Sequence, residues 1–154
     1  MKSNSPSTHR ACVSMILLRE VENGETEVLI VHKPRKRDAW QIPQGGIEEG
    51  ETVMEAAKRE LQEETSITLH EDPLPSKEFY QYDYPAGFKK SQKPKYNGQH
   101  LTFVVAKVPR ETAVIVDKRE LDAFKWIHPR ELPKYLRREN YRRVVEAAIA
   151  EHVQ

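Results

Sequence analysis

A single cysteine, Cys12, stands in the whole chain. An internal disulfide and a cysteine-based zinc site are therefore excluded, and a reduced, cytoplasmic setting fits. No apolar run approaches the roughly 20 residues needed to cross a bilayer. The opening MKSNSPSTHR also lacks the apolar core of a secretion signal. Excess charge of one sign is missing as well. Charged residues make up 32% of the chain but the net charge is only +1, so no bulk field recruits nucleic acid. Any such affinity has to come from local clusters. Repeats and low-complexity tracts are absent, and nothing in the sequence points to an obligate protein partner or a membrane. What is there, 154 residues, suits one domain able to bury about two-thirds of its unfolded surface.

Taken in order, the polar stretch Met1–Thr8 reads as a loose tail ahead of a single domain spanning residues 9–154. Ala11–Leu18 is apolar enough for a buried strand, and Asn23-Gly24 signals a hairpin into a returning strand at Val28–His32. The run KPRKRDAWQIPQGG is a loop punctuated by proline and glycine. Ser66–Lys77 reads as a connection, Phe79–Tyr84 as an aromatic strand, and Pro85–Gly98 as a basic mobile loop. His100–Val108 is a clear later strand, and Phe124–Ile127 a short alternating one. A helical region opens at Pro129. From Asn140 onward Tyr141, Val144, Val145, Ala148, Ile149 and Val153 share one face of an amphipathic helix. Strands on both sides of one helix, with another helix at the end, predict a mixed sheet between helices.

The most informative stretch is GGIEEGETVMEAAKRELQEETSI, from Gly45 to Ile67. Its second half is a helix: Thr52 is a good N-cap, Glu55 completes a capping box, and Ala56, Ala57 and Leu61 supply a small apolar face. Glu60, Glu63 and Glu64 stand at i, i+3 and i+4, so three carboxylates fall within about one turn. Like charges so placed cost an isolated helix roughly 0.2–0.5 kcal/mol per pair. Lys58 and Arg59 fall mostly on other sides of the helix. A lone triplet of this kind reads first as a solvated acidic face. The sharper reading is a site for a hard divalent cation such as magnesium, which takes carboxylate and phosphate oxygens.

The triplet does not stand alone. Gly45, Glu51, Arg59, Glu60, Glu63 and Glu64 occupy the offsets of Gly-x5-Glu-x7-Arg-Glu-apolar-x-Glu-Glu-x-Gly-apolar, with Leu61 and Ile67 in the apolar places. This is the Nudix box, and the chain resembles a Nudix hydrolase. One position departs from it: Ser66 stands where the box has its second glycine. A serine forced into a left-handed helix exit costs about 1–2 kcal/mol. The resemblance implies an α/β/α sandwich with a mixed sheet. It also implies metal-dependent hydrolysis of a nucleoside diphosphate linked to another group, with Mg2+ or Mn2+ as the cofactor. Glu60, Glu63 and Glu64 would be the ligand positions, joined by a main-chain carbonyl near Gln44–Gly45. Arg59, inside the catalytic motif, would pair with Glu51 to orient loop and helix.

Further matches narrow the likeness. Trp40–Ile47, WQIPQGGI, is similar to the WQFPQGGI run of RNA pyrophosphohydrolases and the related dinucleoside polyphosphate hydrolases. Glu120–Trp126 resembles their EFDxWxW segment, which implies that Glu120 reaches back to the metal cluster as a fourth carboxylate. Tyr96–Gln99 and Arg137–Val144 resemble two other segments of that group. Arg10 and Arg137 then match positions near substrate phosphates, and Gln44 and Gln99 join the substrate-binding candidates. Basic residues precede the box at Lys33, Arg35, Lys36 and Arg37, and others follow at Lys89, Lys90, Lys93 and Lys95. Lys33 and Lys95 are the candidates among them for phosphate, although either cluster could be a solvated face. Tyr82 or Tyr84 could stack on a base or simply pack in a core. The expected substrate is the 5′ end of a triphosphorylated RNA or a dinucleoside polyphosphate. A diphosphoinositol polyphosphate or a nucleoside triphosphate is the alternative, and a non-catalytic nucleic-acid-binding module a more distant one.

Overall fold

The two most apolar stretches of the chain lie side by side. In the computed structural model, which describes residues 8–34 and 39–153, strand β1 (His9–Glu20) runs parallel to a strand at Gly98–Val108. Pairing is continuous from His9↔Gly98 to Arg19↔Val108. A parallel pair is normally covered on both faces, which is why both strands read as nearly unbroken apolar runs. Cys12, Ile16 and Leu18 face one layer of the core, whereas Val13, Met15 and Leu17 face the other. Tail residues 1–7, and the basic residues Arg35, Lys36 and Arg37 ahead of the box, lie outside the described residues.

On its other edge β1 meets two partners in succession. Leu18–Glu20 pair with β2 (Thr26–His32) through the Asn23-Gly24 turn, where Gly24 takes φ +79°. Cys12–Ser14 pair instead with β4 (Gln44–Gly46), and β2 in turn pairs with β3 (Trp40–Gln41) at Val31 and His32. The two long strands therefore fork, and the segment Trp40–Gly46 fills the fork. Met15 N–H donates to Pro43 O at 2.8 Å within it. Irregular backbone so placed has its polar groups paired, as burial requires.

The remaining elements close two layers around this sheet. Helix α1 (Val53–Thr65) packs Ala56, Ala57 and Leu61 against one face. On the opposite face, α4 (Glu139–Ala150) packs Tyr141, Val145, Ala148 and Ile149. A short helix α3 (Leu132–Tyr135) and the 3-10 turn at Pro129–Glu131 precede it, as the sequence leads one to expect. Strand β6 (Gly98–Val108) carries β5 (Leu74–Asp83) on its outer edge, and β7 (Ala123–Ile127) lies on the outer edge of β2. The expected α/β/α sandwich with a mixed sheet is thus present. Among the described residues no helix is long and apolar enough to cross a membrane.

Two expectations need correction. The Ser66–Lys77 connection ends early, because β5 begins at Leu74, with a register shift between Pro75 and Phe79. Proline is tolerated there since β5 is an edge strand. Pro85–Gly98 is not all loop: Ala86–Gln92 forms α2, stopped by Lys93 at φ 45°. Without an apolar stripe it has no periodic signal to betray it.

Candidate active site

The entrance to α1 is an ionic knot. Thr52 Oγ1 accepts from the Glu55 N–H at 3.1 Å, and Glu55 Oε1 accepts from the Thr52 N–H at 2.9 Å, so the capping box is complete. One turn later Arg59 reaches back. Its Nε and Nη2 donate to the two Glu51 oxygens at 2.7 and 2.9 Å, and Nη2 also donates to Gly46 O at 2.9 Å. The Glu48 N–H donates to Glu51 Oε1 at 2.9 Å. The Arg59 guanidinium, aided by that N–H, holds the Glu51 carboxyl at about 2. Glu51 in return raises the Arg59 pKa further. Bidentate pairs of this kind are the strong charge-assisted ones.

The same helix carries the carboxylates toward β4. Glu60 lies so close over Gly45 that a Cβ at Gly45 would overlap its carboxyl group. Burial raises the Glu60 pKa against the pull of Arg59, whose Nη1 donates to Glu60 Oε1 at 2.9 Å and to Glu63 Oε2 at 3.3 Å. Glu64, only 8% exposed, is pushed up to about 8. Burial is the main cause, followed by the charge of Glu60 and, more weakly, Glu120; Lys33 and the Gln44 main chain oppose the shift. Glu120 is exposed on a turn in which its N–H donates to Asp117 O. That turn is tied to the end of α1, since Ile115 N–H donates to Thr65 O and Asp117 N–H to Glu64 O, both at 2.9 Å. The Arg10 guanidinium covers Gly46 and acts on Glu60.

Among the described residues, no three His, Cys, Asp or Glu side chains stand grouped around a common point as they would around an ion. Arg59 draws Glu60 and Glu63 to itself, whereas Glu64 is held at Gln44. The donor set nonetheless fits a hard divalent cation. It is all oxygen, and it includes the Glu64 carboxylate, whose pKa is raised by burial first and by the charges of Glu60 and Glu120 second. Glu63 is exposed enough to turn.

Beside the carboxylates a cavity of about 620 Å³ opens between β5 and α4. Lys33 and Gln44 line it and also act on Glu64, so the two regions adjoin. Alternation along β5 puts Tyr80 and Tyr82 on one face, and a chain of rings runs Tyr141–Tyr80–Tyr82–Tyr84–Phe88 with centroids 5.4, 5.9, 6.1 and 5.0 Å apart. Gln99 Oε1 accepts from Tyr82 Oη at 2.8 Å and from Gln44 Nε2 at 3.3 Å, which fixes both amides. The Tyr141 hydroxyl accepts from the Ile42 N–H at 3.0 Å and anchors the fork segment to α4. Arg137 and Arg138 stand at the rim, Arg138 at 5.9 Å from the Tyr82 ring centroid.

Five of the seven residues expected to bind substrate line this cavity: Lys33, Gln44, Tyr84, Gln99 and Arg137. Arg10 stands instead at the carboxylates, and Lys95 is not in the lining, its ammonium 5.4 Å from the Tyr96 ring centroid. Sequence reasoning missed Trp40, Tyr80, Phe88 and Arg138 as lining residues. For Tyr80 the signal was available, because Tyr80, Tyr82 and Tyr84 alternate and must share a face. Phe88 gives no such signal, since it lies in α2, which has no apolar stripe.

Known proteins resemble this chain over most of its length. A family profile described as NUDIX domain matches residues 8–148. An RNA pyrophosphohydrolase of Sulfurovum sp. is 31% identical over 150 residues, covering 94% of this chain and 95% of that protein. Another from Zymomonas mobilis is 41% identical over 104 residues, 64% of this chain and 67% of its own. Among solved structures, a C. elegans Ap4A hydrolase superposes with a TM-score of 0.70 at 21% identity, covering 92% of this chain and 96% of that one. The E. coli dihydroneopterin triphosphate pyrophosphohydrolase gives 0.74 at 19%, covering 94% and 99%. With its box, its fold and its relatives in agreement, the chain belongs to the Nudix family of hydrolases.

Proposed function

We propose that this enzyme cleaves a phosphoanhydride bond in the 5′ end of a triphosphorylated RNA, or in a dinucleoside polyphosphate, by attack of water at phosphorus. The observation that carries this reading is the adjacency of an aromatic, basic-rimmed cavity to the buried carboxylates. Its volume of about 620 Å³ falls in the range usual for small-ligand sites. A purine stacked against Tyr84 or Trp40 would place its phosphates at Lys33 and Gln44, and then under Arg10 and Arg137. Aromatic walls suit a base better than an inositol ring, which offers no flat face to stack.

Glu60, Glu63, Glu64 and Glu120, with the Gly45 carbonyl, would hold Mg2+ or Mn2+. When bound, such an ion neutralises phosphate oxygens and lowers the pKa of water toward neutrality. The carboxylates orient the attacking water and take up its proton. A new P–O bond forms as the bridging one breaks, and pyrophosphate or a nucleotide leaves. Arg59 serves by position: its bonds to Glu51, Glu60, Glu63 and Gly46 O hold Glu60 and the β4 carbonyl side of the site in register. The domain would run from residue 9 to 154 behind a short tail, in a cytoplasmic setting.

Product analysis tests the reading. Triphosphorylated RNA and diadenosine tetraphosphate should be cut in the presence of Mg2+ or Mn2+, releasing pyrophosphate or a nucleotide rather than orthophosphate alone. Far faster hydrolysis of a diphosphoinositol polyphosphate would overturn the substrate assignment. Binding of RNA without turnover would favour the non-catalytic module.

A further inference from the structure

Glu120 sits on an exposed turn, an unpromising place for a group that must meet its partners closely. The turn is fixed by its neighbours. On one side the buried Leu121 packs with Val31 and Val116. Apolar packing sets depth but is non-directional. Direction comes from the next residue. Asp122 makes two hydrogen bonds to the single residue His32 at the end of β2: its N–H donates to His32 O at 3.1 Å, and its carboxylate accepts from His32 Nδ1 at 2.7 Å. A carboxylate acceptor requires the proton on Nδ1. The other face of the imidazole matters too. Its centroid lies 5.0 Å from that of Trp40, which lines the cavity and is next to Tyr135 at 5.6 Å.

We infer that His32 is a positioning residue that couples two parts of the site, aiming Glu120 through Asp122 and bracing the cavity wall through Trp40. The pair is not a generic surface contact. Side-chain exposure is 23% for His32 and 46% for Asp122, and the backbone and side-chain bonds act together on one residue two positions from Glu120. Nothing in the box motif encodes the pair. The strand β2 and the turn are 90 residues apart and are brought together by the β2–β7 pairing, which ends at His32↔Ala123.

The inference rests on the proposed role of Glu120, so the experiment includes Glu120→Gln as its reference. Each function of His32 has its own readout. Asp122→Ala should lower kcat on triphosphorylated RNA about 10–100-fold, the usual effect of removing a group that orients a ligand, with KM unchanged. His32→Ala should lower kcat alike and also raise KM about 2–10-fold, as loss of an aromatic contact does. His32→Asn keeps an N–H near the place of Nδ1 but no ring, so kcat should recover while KM stays high. Calorimetric titration with Mn2+ alone, without substrate, should give one weakened curve for Glu120→Gln, Asp122→Ala and His32→Ala. Melting temperatures identify any variant that fails to fold, and His32→Asn then carries the test. If Glu120→Gln is impaired while both His32 variants match the parent in Mn2+ binding, kcat and KM, the coupling is wrong and the Glu120 role survives. If Glu120→Gln itself matches the parent, the Glu120 role falls first.

Discussion

Two glutamates of one motif, Glu51 and Glu64, meet opposite fates. Glu51 is held at about 2 by a bidentate guanidinium and a main-chain N–H, whereas burial among other carboxylates pushes Glu64 to about 8. The first is paired with a cation, whereas the surroundings of the second disfavour its charged form. A fold optimised only for stability would treat both like Glu51, because an acid buried beside its like disfavours its own charged form. Such a contrast within one helix is what the proposed metal-holding role of Glu64 requires, since functional sites are where burial and like charge shift a carboxylate. The knot at Glu51 and Arg59 also makes the strain tolerable, since it fixes β4 and α1 against each other where Glu60 crosses Gly45.

Glu64→Gln breaks the comparison most severely. The amide keeps an acceptor for Gln44 but gives up the charge. Activity should fall on the order of 10³-fold in kcat, equivalent to several kcal/mol of lost charge stabilisation. The metal-free variant should meanwhile be more stable than the parent at pH 8, by about 0.5–2 kcal/mol, as often happens when a functional group is neutralised. Parallel assays of turnover and denaturant unfolding decide it. A variant that is inactive because it is unfolded would refute the strain.

Arg59→Ala attacks the satisfied end. It leaves Glu51 without its guanidinium and Gly46 O without a donor, at a cost of about 2 kcal/mol in unfolding free energy. Glu60 and Glu63 lose their shared partner as well, so turnover should drop together with stability. That joint loss distinguishes Arg59 from Glu64, and equilibrium unfolding beside kinetics reads both.

A pH series on the metal-free protein tests the two glutamates together. The folded-state pKa of Glu64 is raised from 4.5 to about 8, so between those values the native state holds a proton that the unfolded chain has lost. Its contribution is full below 4.5 and disappears as pH rises through 8. Glu51 has the opposite sign: its contribution is present above 4.5 and is lost as pH falls toward 2. Stability should therefore decline on both sides. Glu64→Gln should flatten the alkaline limb, and saturating Mg2+ should also offset it by binding the native state alone.

The helix, its caps and its carboxylates were legible in the sequence because their spacing is local and each residue acts within a turn or two. Both long apolar strands were legible for the same reason. The His32–Asp122 pair, the Arg10 cover over Gly46 and the Tyr141 end of the aromatic chain were not, since each is made by segments far apart in sequence that only the fold unites. The short helix Ala86–Gln92 was missed for a local reason: its seven residues contain four that are polar, and Phe88 alone faces the cavity.

The smallest expected effect concerns the place where this chain leaves its family's motif. Ser66 follows α1 at φ 63° and ψ 15°, so it adopts the left-handed conformation for which the motif uses glycine. Its N–H donates to Gln62 O at 3.0 Å and closes the helix. A side chain held there costs roughly 1–2 kcal/mol. Against that, the Ser66 hydroxyl donates to Ile115 O at 3.2 Å, helping to tie the Glu120-bearing segment to the helix end, and such a bond contributes about 1 kcal/mol. Glycine would also enlarge the conformational freedom of the unfolded chain, at about 0.4–1 kcal/mol. The terms nearly cancel, so Ser66→Gly should change unfolding free energy by less than about 1 kcal/mol. Ser66→Ala separates them: it keeps the strain and loses the hydroxyl bond, so it should be less stable than both the parent and the glycine variant. Denaturant midpoints for the three proteins settle the order, and an alanine variant as stable as the parent would remove the hydroxyl bond from the account.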